Sequence, residues 1–267
     1  MIKLGVNTVL YKAFSLRTAI ENLRKTGYDG FEISAIEGMC EHLDLKNWRE
    51  QKNEILEICD EFQLPITATE VASTDPARLT LAFEAAAGIG IPVVNIGPGG
   101  KSDIEEDMLA CIARMNELAK IAESYGVTLC MKAHVGGAVY STPTTLRLVE
   151  NVASAYFGID MDPSHIYRCG EAPEDALASV VQYMGHVHIR DCASECLGKG
   201  PGSPLQQICG TGDINLYGYF AELVKAGYDG ACNLEIIGPE LSLEDANIVA
   251  ASSYGYMNAI LKHLKAR

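Results

Sequence analysis

Residues 93–134, "VVNIGPGGKSDIEEDMLACIARMNELAKIAESYGVTLCMKAH", hold two short apolar runs on either side of one long amphipathic segment. Between Asp103 and Tyr125, Met108, Cys111, Met115, Leu118 and Ala122 recur at steps of three or four. That spacing predicts a helix with a single apolar stripe, and Gly126 follows where a helix C-terminal glycine belongs. Val93–Ile96 and Thr128–Lys132 read as buried strands. Strand, helix and strand in this order form the crossover unit of a parallel sheet.

The same alternation continues in both directions. Strands are expected at Lys3–Val6, Gly30–Ser34, Ile66–Glu70, Val93–Ile96, Thr128–Lys132, Tyr156–Asp162, His186–Arg190 and Ala231–Ile236. The last helix carries Ala246, Ala250, Met257, Leu261 and Leu264 on one face and opens on Ser242, with Asp245 as its capping partner. No Pro/Ser linker or charge block divides the chain. Eight unbroken βα units favour one (β/α)8 TIM barrel over an open doubly wound sheet, with residues 1–267 as a single domain. Gly-Tyr-Asp-Gly occurs twice, at 27–30 and 227–230, each time as the turn from a helix into a strand. Glu32 follows the first copy by two residues and Glu235 the second by five, which puts the two acids on opposite strand faces if both turns enter in the same register.

A formal net charge of −14 disfavours nucleic acid and anionic membranes as partners, because both are captured by Lys and Arg. The N-terminal residues lack a signal-peptide pattern, and no apolar run approaches a membrane span, so a cytoplasmic location is expected. The odd set of nine cysteines suits free thiols in a reducing compartment. Cys192, Cys196 and Cys209 cluster without a recognised zinc spacing.

In such a barrel the reactive groups stand at the C-terminal ends of the strands. Lys132 and His134 share one face of the fifth strand, Asp160 and Asp162 one face of the sixth, with His165 following in the loop. His186, His188 and Arg190 share a face of the seventh strand, and Asn233 and Glu235 a face of the eighth. Histidines and carboxylates converging on one mouth are what a divalent metal or a proton-transfer site requires. Glu32 and Glu70 end the second and third strands, where they either line the pocket or take part in ion pairs inside the barrel. "NIGPGGKS" at 95–102 fails the P-loop pattern at Asn95, so no nucleotide cofactor is expected; the milder reading is a loop whose amides and Lys101 bind a substrate anion.

"DMDPSH" at 160–165 in its Asp-Met-Asp-Pro-Ser-His form, "HVHIRD" at 186–191, "GTGDIN" at 210–215 and "GYDGACNLE" at 227–235 together resemble the xylose-isomerase-like barrels. That family includes sugar and sugar-phosphate isomerases and epimerases, hydroxypyruvate isomerases, inosose dehydratases and isomerases, and endonuclease IV. The resemblance covers nearly the whole chain and implies a divalent metal (Mn, Mg, Zn or Co) held by Asp162, His188 and Glu235, with His134 and His165 facing substrate. It also implies a fourth ligand, a Glu, where this chain has Lys132. An ammonium about 4 Å from a divalent ion is repelled by roughly 8 kcal/mol at an effective dielectric near 20, which sets Lys132 against a normally seated metal.

The resemblance thus implies a small-molecule carbohydrate or polyol substrate and an isomerase acting by proton transfer beside a carbonyl. Glu235 is its expected base, Lys132 its expected electrophile or Schiff-base amine, and Glu70, Lys101, His134 and His165 are expected to bind substrate. Two rivals use the same residues: a keto-polyol dehydratase, and a non-catalytic sugar-binding barrel in which Lys132 neutralises a defunct metal site. Barrels of this kind often pair, which leaves a homo-oligomer open.

Overall fold

Helical crossovers make successive strands run the same way, and the computed structural model, which describes residues 1–267, closes such strands into a ring. The strands are β1 (Lys3–Val6), β2 (Phe31–Ile36), β3 (Cys40–Glu41), β4 (Ile66–Glu70), β5 (Val93–Ile96), β6 (Thr128–Lys132), β7 (Phe157–Asp160), β8 (Met184–Ile189) and β9 (Ala231–Leu234). All pair in parallel except β3, a two-residue antiparallel addition to β2. The order β1-β9-β8-β7-β6-β5-β4-β2 leaves one seam, between β1 and β2, and an isolated parallel bridge from Asn7 to Glu32 spans it. This is the (β/α)8 barrel expected from the alternation.

Around the ring lie α1 (Leu16–Thr26), α2 (Trp48–Phe62), α3 (Pro76–Ile89), α4 (Glu105–Tyr125), α5 (Thr142–Val149), α6 (Pro163–Arg168), α7 (Pro173–Val180), α8 (Leu216–Lys225) and α9 (Leu243–His263). Met108, Cys111, Met115, Leu118 and Ala122 of α4 are all buried, and Gly126 ends the helix at φ 69°. Ser242 caps α9 by accepting from the Asp245 amide. Most buried apolar side chains of strands and helices form one continuous cluster of 68 residues, and Val9, Ile36 and Cys40 form a small separate one beside β3. No helix is long and apolar enough to cross a membrane.

The two Gly-Tyr-Asp-Gly turns are alike in backbone and different in packing. Gly27 and Gly227 both have positive φ, the conformation a helix end needs and a side chain resists. Tyr28 sends its hydroxyl to Ala250 O, whereas Tyr228 bonds Ala231 O. The expected opposition of Glu32 and Glu235 is not found, since both are buried within the barrel. Both reach His188, so the two turns enter their strands in different registers, Glu32 lying within β2 and Glu235 one residue past β9.

Strand ends account for the other departures from expectation. Asp162 lies beyond β7 as the N-cap of α6, its Oδ1 accepting from Ser164 N at 2.8 Å. Arg190 lies one residue past β8, and Glu235 one residue past β9. Irregular backbone at these positions is what lets long side chains reach across the mouth instead of stacking along a strand.

Below the mouth, at Gly5 of β1, the interior is filled to contact. A Cβ on Gly5 would lie 2.0 Å from Asn233 Oδ1, an atom that accepts from Thr67 Oγ1 at 3.0 Å. Gly5→Ala is therefore expected to cost about 1–3 kcal/mol of stability by overpacking, read as a lowered urea midpoint; an unchanged midpoint would contradict this account of the layer.

Candidate active site

A cavity of about 830 Å³ opens at the C-terminal ends of the strands. Glu70, Lys132, His134, His165, Arg190 and Glu235 line it, with Gly97–Gly100 and Gly136–Gly137 forming one wall. Each acidic or basic group arrives on a different strand or strand-end loop, so the ring geometry sets their mutual distances.

Lys132, 4% exposed, stands at the centre. Its Nζ lies 2.7 Å from Glu235 Oε1, 3.1 Å from Glu70 Oε1 and 3.0 Å from His188 Nδ1. Burial alone would lower the pKa of this amine, but Glu235 and Glu70 outweigh it and hold it above the ordinary value. The amine is thus charged, which removes the nucleophilic, Schiff-base role open to it on sequence grounds.

Beneath it His188 Nε2 contacts Glu32 Oε2, His188 Nδ1 lies 3.2 Å from Asp160 Oδ2, and Asn95 Nδ2 donates to that same Asp160 oxygen at 2.9 Å. Burial works against the charged imidazole, yet Glu32, Glu235 and Asp160 together raise it to about 10. The 3.0 Å approach of Lys132 to Nδ1 is a hydrogen bond only for a neutral ring. With the surrounding carboxylates favouring imidazolium, the two cations instead meet across Glu235 Oε1, 2.7 Å from one and 3.7 Å from the other. Asn7 Nδ2 links the layers by donating to Glu32 Oε2 at 3.0 Å and Glu70 Oε2 at 2.7 Å.

Arg190 holds the remaining acids. Its guanidinium reaches Asp162 Oδ2 at 2.9 Å and Glu235 Oε2 at 3.0 Å, and Nε donates to Ser164 Oγ at 2.7 Å. Glu235 thus has a cation on each oxygen. Burial would raise its pKa, but Lys132 and then Arg190 hold it well below the usual carboxylate range. Glu70 has only one cationic partner. Burial and the neighbouring Glu235 charge outweigh Lys132 and the more distant His188 and lift it to about 7. His165 lies between Arg190 and Arg168, and burial, then Arg190, push it well below its ordinary value; it is neutral. His134 stacks on it at 4.0 Å between ring centroids.

Lys132, Glu70, Glu235, His134 and His165 therefore share the cavity, and His188 lies directly below. Lys101 does not join them: it is exposed, its backbone amide donates to Asp107 Oδ2 at 2.8 Å, and the neighbouring glycines face the cavity in its place. Asp162 is drawn to Arg190 and lies apart from the groupings below. Glu32, Asp160 and Arg190, which strand ends and parity place toward the mouth without a role, complete the network together with Asn7 and Arg168, which sequence reading missed. The face shared by His186, His188 and Arg190 is visible as alternation, whereas Asn7 precedes any recognisable motif.

Two sets of side chains converge closely enough for a metal ion: Glu32 with His186 and His188, and Glu70 with His188 and Glu235. In the second, Lys132 Nζ already contacts Glu70 Oε1, His188 Nδ1 and Glu235 Oε1. The ammonium takes the point an ion would need, so this set does not fit a divalent metal while Lys132 is present. In the first, Glu32 Oε1 and His186 Nε2 lie 3.2 Å apart and neither has a hydrogen-bond partner.

A family profile described as "Xylose isomerase-like TIM barrel" matches residues 20–254. An uncharacterised protein of Methanocaldococcus jannaschii is 25% identical over 260 residues, covering 88% of this chain and 83% of the relative. An inosose dehydratase of Halalkalibacterium halodurans is 32% identical over 95 residues, covering 36% of this chain and 31% of that enzyme. A crystal structure of the IOLI protein with a bound zinc atom superposes with a TM-score of 0.81 at 20% identity, covering 98% of this chain and 99% of that one, a likeness of fold.

Replacing the ammonium by a carboxylate should open the second set to metal. Lys132→Glu is expected to bind zinc at least tenfold more tightly than the unaltered chain, measured by titration calorimetry and elemental analysis; equal affinities would show that Lys132 does not control the site.

Glu70 yields a pH signature. Its folded pKa lies above the unfolded one, so the native state holds the extra proton and loses stability as pH rises from 4.5 to about 7. Glu70→Gln removes that loss. Its unfolding free energy should therefore gain on the unaltered chain by about 3 kcal/mol across the window, in urea titrations; a constant difference would refute the raised pKa.

Proposed function

This chain belongs to the xylose-isomerase-like TIM-barrel family, and we propose that it is a lyase that removes water from a keto-polyol of the inosose class. The observation that carries this reading is the pair of unequal carboxylates on Lys132: Glu235 fixed as an anion by two cations, and Glu70 titrating near neutrality. A general base works best when its pKa lies close to the working pH, which favours Glu70 over Glu235, the base expected from the family pattern.

Lys132 serves as the electrophile. Its ammonium hydrogen-bonds the substrate carbonyl and stabilises the negative charge that builds on that oxygen as Glu70 takes the proton from the adjacent carbon. The resulting enolate expels the β-hydroxyl, which leaves as water with the proton that Glu70 carries. One C–H and one C–O bond break, one C=C bond forms, and no electrons leave the substrate. His134 and His165, neutral and stacked at the rim, orient hydroxyls.

A two-base epimerisation needs a second titrating carboxylate on the opposite face, and Glu235 is held too strongly ionised for that task. Aldose–ketose isomerisation shares the first proton transfer; the 32% match to an inosose dehydratase over 95 residues supports elimination, beside a 27% match over 164 residues to an inosose isomerase of the same organism. The alternative of a non-catalytic sugar binder has nothing to gain from a buried acid poised near neutrality.

A keto-inositol supplied in D2O and followed by NMR tests the proposal. Water loss should proceed with a kcat that rises through about pH 7, and Lys132→Met and Glu70→Gln should each lower it roughly 10²- to 10⁴-fold. Absence of both elimination and deuterium exchange, or full activity in either variant, would sink the reading.

A further inference from the structure

Arg168 is 5% exposed and lines the cavity, yet no carboxylate lies within 4.0 Å of it. Every other arginine except the exposed Arg24 has an acid in that range. Its acceptors are Ser164 O from Nε at 3.1 Å and Lys199 O from Nη1 at 2.7 Å, while Nη2 faces both His165 ring nitrogens, Nδ1 at 2.9 Å and Nε2 at 3.3 Å, of which a neutral ring accepts at one. A guanidinium has five N–H donors, so at least two have no acceptor in the protein. Burying an unpaired charge is costly, and the nearby acids are already matched: Asp162 and Glu235 by Arg190, Glu70 and Glu235 by Lys132. Arg168 is left as the guanidinium at the mouth with no anion of its own.

We propose that Arg168 is a substrate-binding residue that pairs with an acidic group, a carboxylate or a phosphate, so that the compound processed is an anionic polyol and not a neutral one. The guanidinium fork suits either oxyanion through paired N–H donors. The wall of 97–100 and 136–137 presents glycine backbone and the ring of Pro98, which leaves room for a bulky charged substituent to approach. Holding Lys199 O, and thereby the 198–201 loop over the cavity, does not by itself explain the charge, because a neutral donor would make the same bond.

The inference rests on the keto-polyol reading for the shape of the ligand alone, and its test requires no turnover. Titration calorimetry with myo-inositol, quinate and myo-inositol 1-phosphate compares ring polyols bearing no acid, a carboxylate and a phosphate. The unaltered chain should bind at least one of the two anions roughly tenfold or more tightly than myo-inositol. The tighter of the two identifies which acid the site takes. Arg168→Met should abolish the preference, and Arg168→Lys, which keeps the charge without the fork, should retain part of it. Equal affinity for all three probes, binding of none, or an undiminished preference in a folded Arg168→Met would overturn the proposal. If that variant does not fold, as judged by its thermal unfolding, the unaltered chain and Arg168→Lys decide the matter. A positive result here with no elimination from keto-inositols would reject the proposed reaction while keeping the anion subsite.

Discussion

A buried ammonium with nowhere to place its charge except on two carboxylates governs this barrel's mouth. Lys132 is removed from water, and an ion so placed is tolerated only when acceptors surround it. Glu70 and Glu235 supply them, and Arg190 balances the surplus that Glu235 and Asp162 bring. Removing any one member leaves its neighbours buried and unmatched, which typically costs 3–5 kcal/mol, approximately, in such networks. The position of nearly every polar group in the cavity follows from that requirement.

The same constraint separates two acids that the amino-acid code leaves identical. Glu70 and Glu235 share one cation, yet only Glu235 has a second, and the difference divides a permanent anion from a proton acceptor. Where a bound metal ion would make such a distinction by coordination, here two side-chain cations do so by proximity. That arrangement ties the chemistry to the chain's own residues and gives it a dependence on pH through Glu70.

Much of this was legible in the residues. Alternation and helix periodicity placed the strands Lys3–Val6, Ile66–Glu70, Val93–Ile96 and Thr128–Lys132 at their observed bounds, because a buried parallel strand and an amphipathic helix leave distinct patterns. Lys132, Glu235, His134, His165 and Glu70 were readable as mouth residues from strand ends and parity. Three features were not. The shared inward direction of Glu32 and Glu235 depends on the two turns entering their strands in different registers, which no period-two argument anticipates. The choice between Glu70 and Glu235 as base depends on which cations lie within 4 Å of each, a property of the closed ring. The isolation of Arg168 is visible only once every nearby acid has been assigned a partner. Lys101, conversely, belongs to a loop whose glycines rather than its lysine face the cavity.

Asn7 joins these levels in one side chain. Its backbone makes the one β-bridge across the seam between β1 and β2, where Asp29 also bonds Leu4, and its side-chain amide donates to both Glu32 and Glu70. The backbone of this residue pairs across the join of the sheet while its carboxamide ties Glu32 to the proposed base Glu70. The acid is thereby anchored at the one place where the ring of strands is joined by a single β-bridge, so its surroundings are referenced to the closure of the barrel itself.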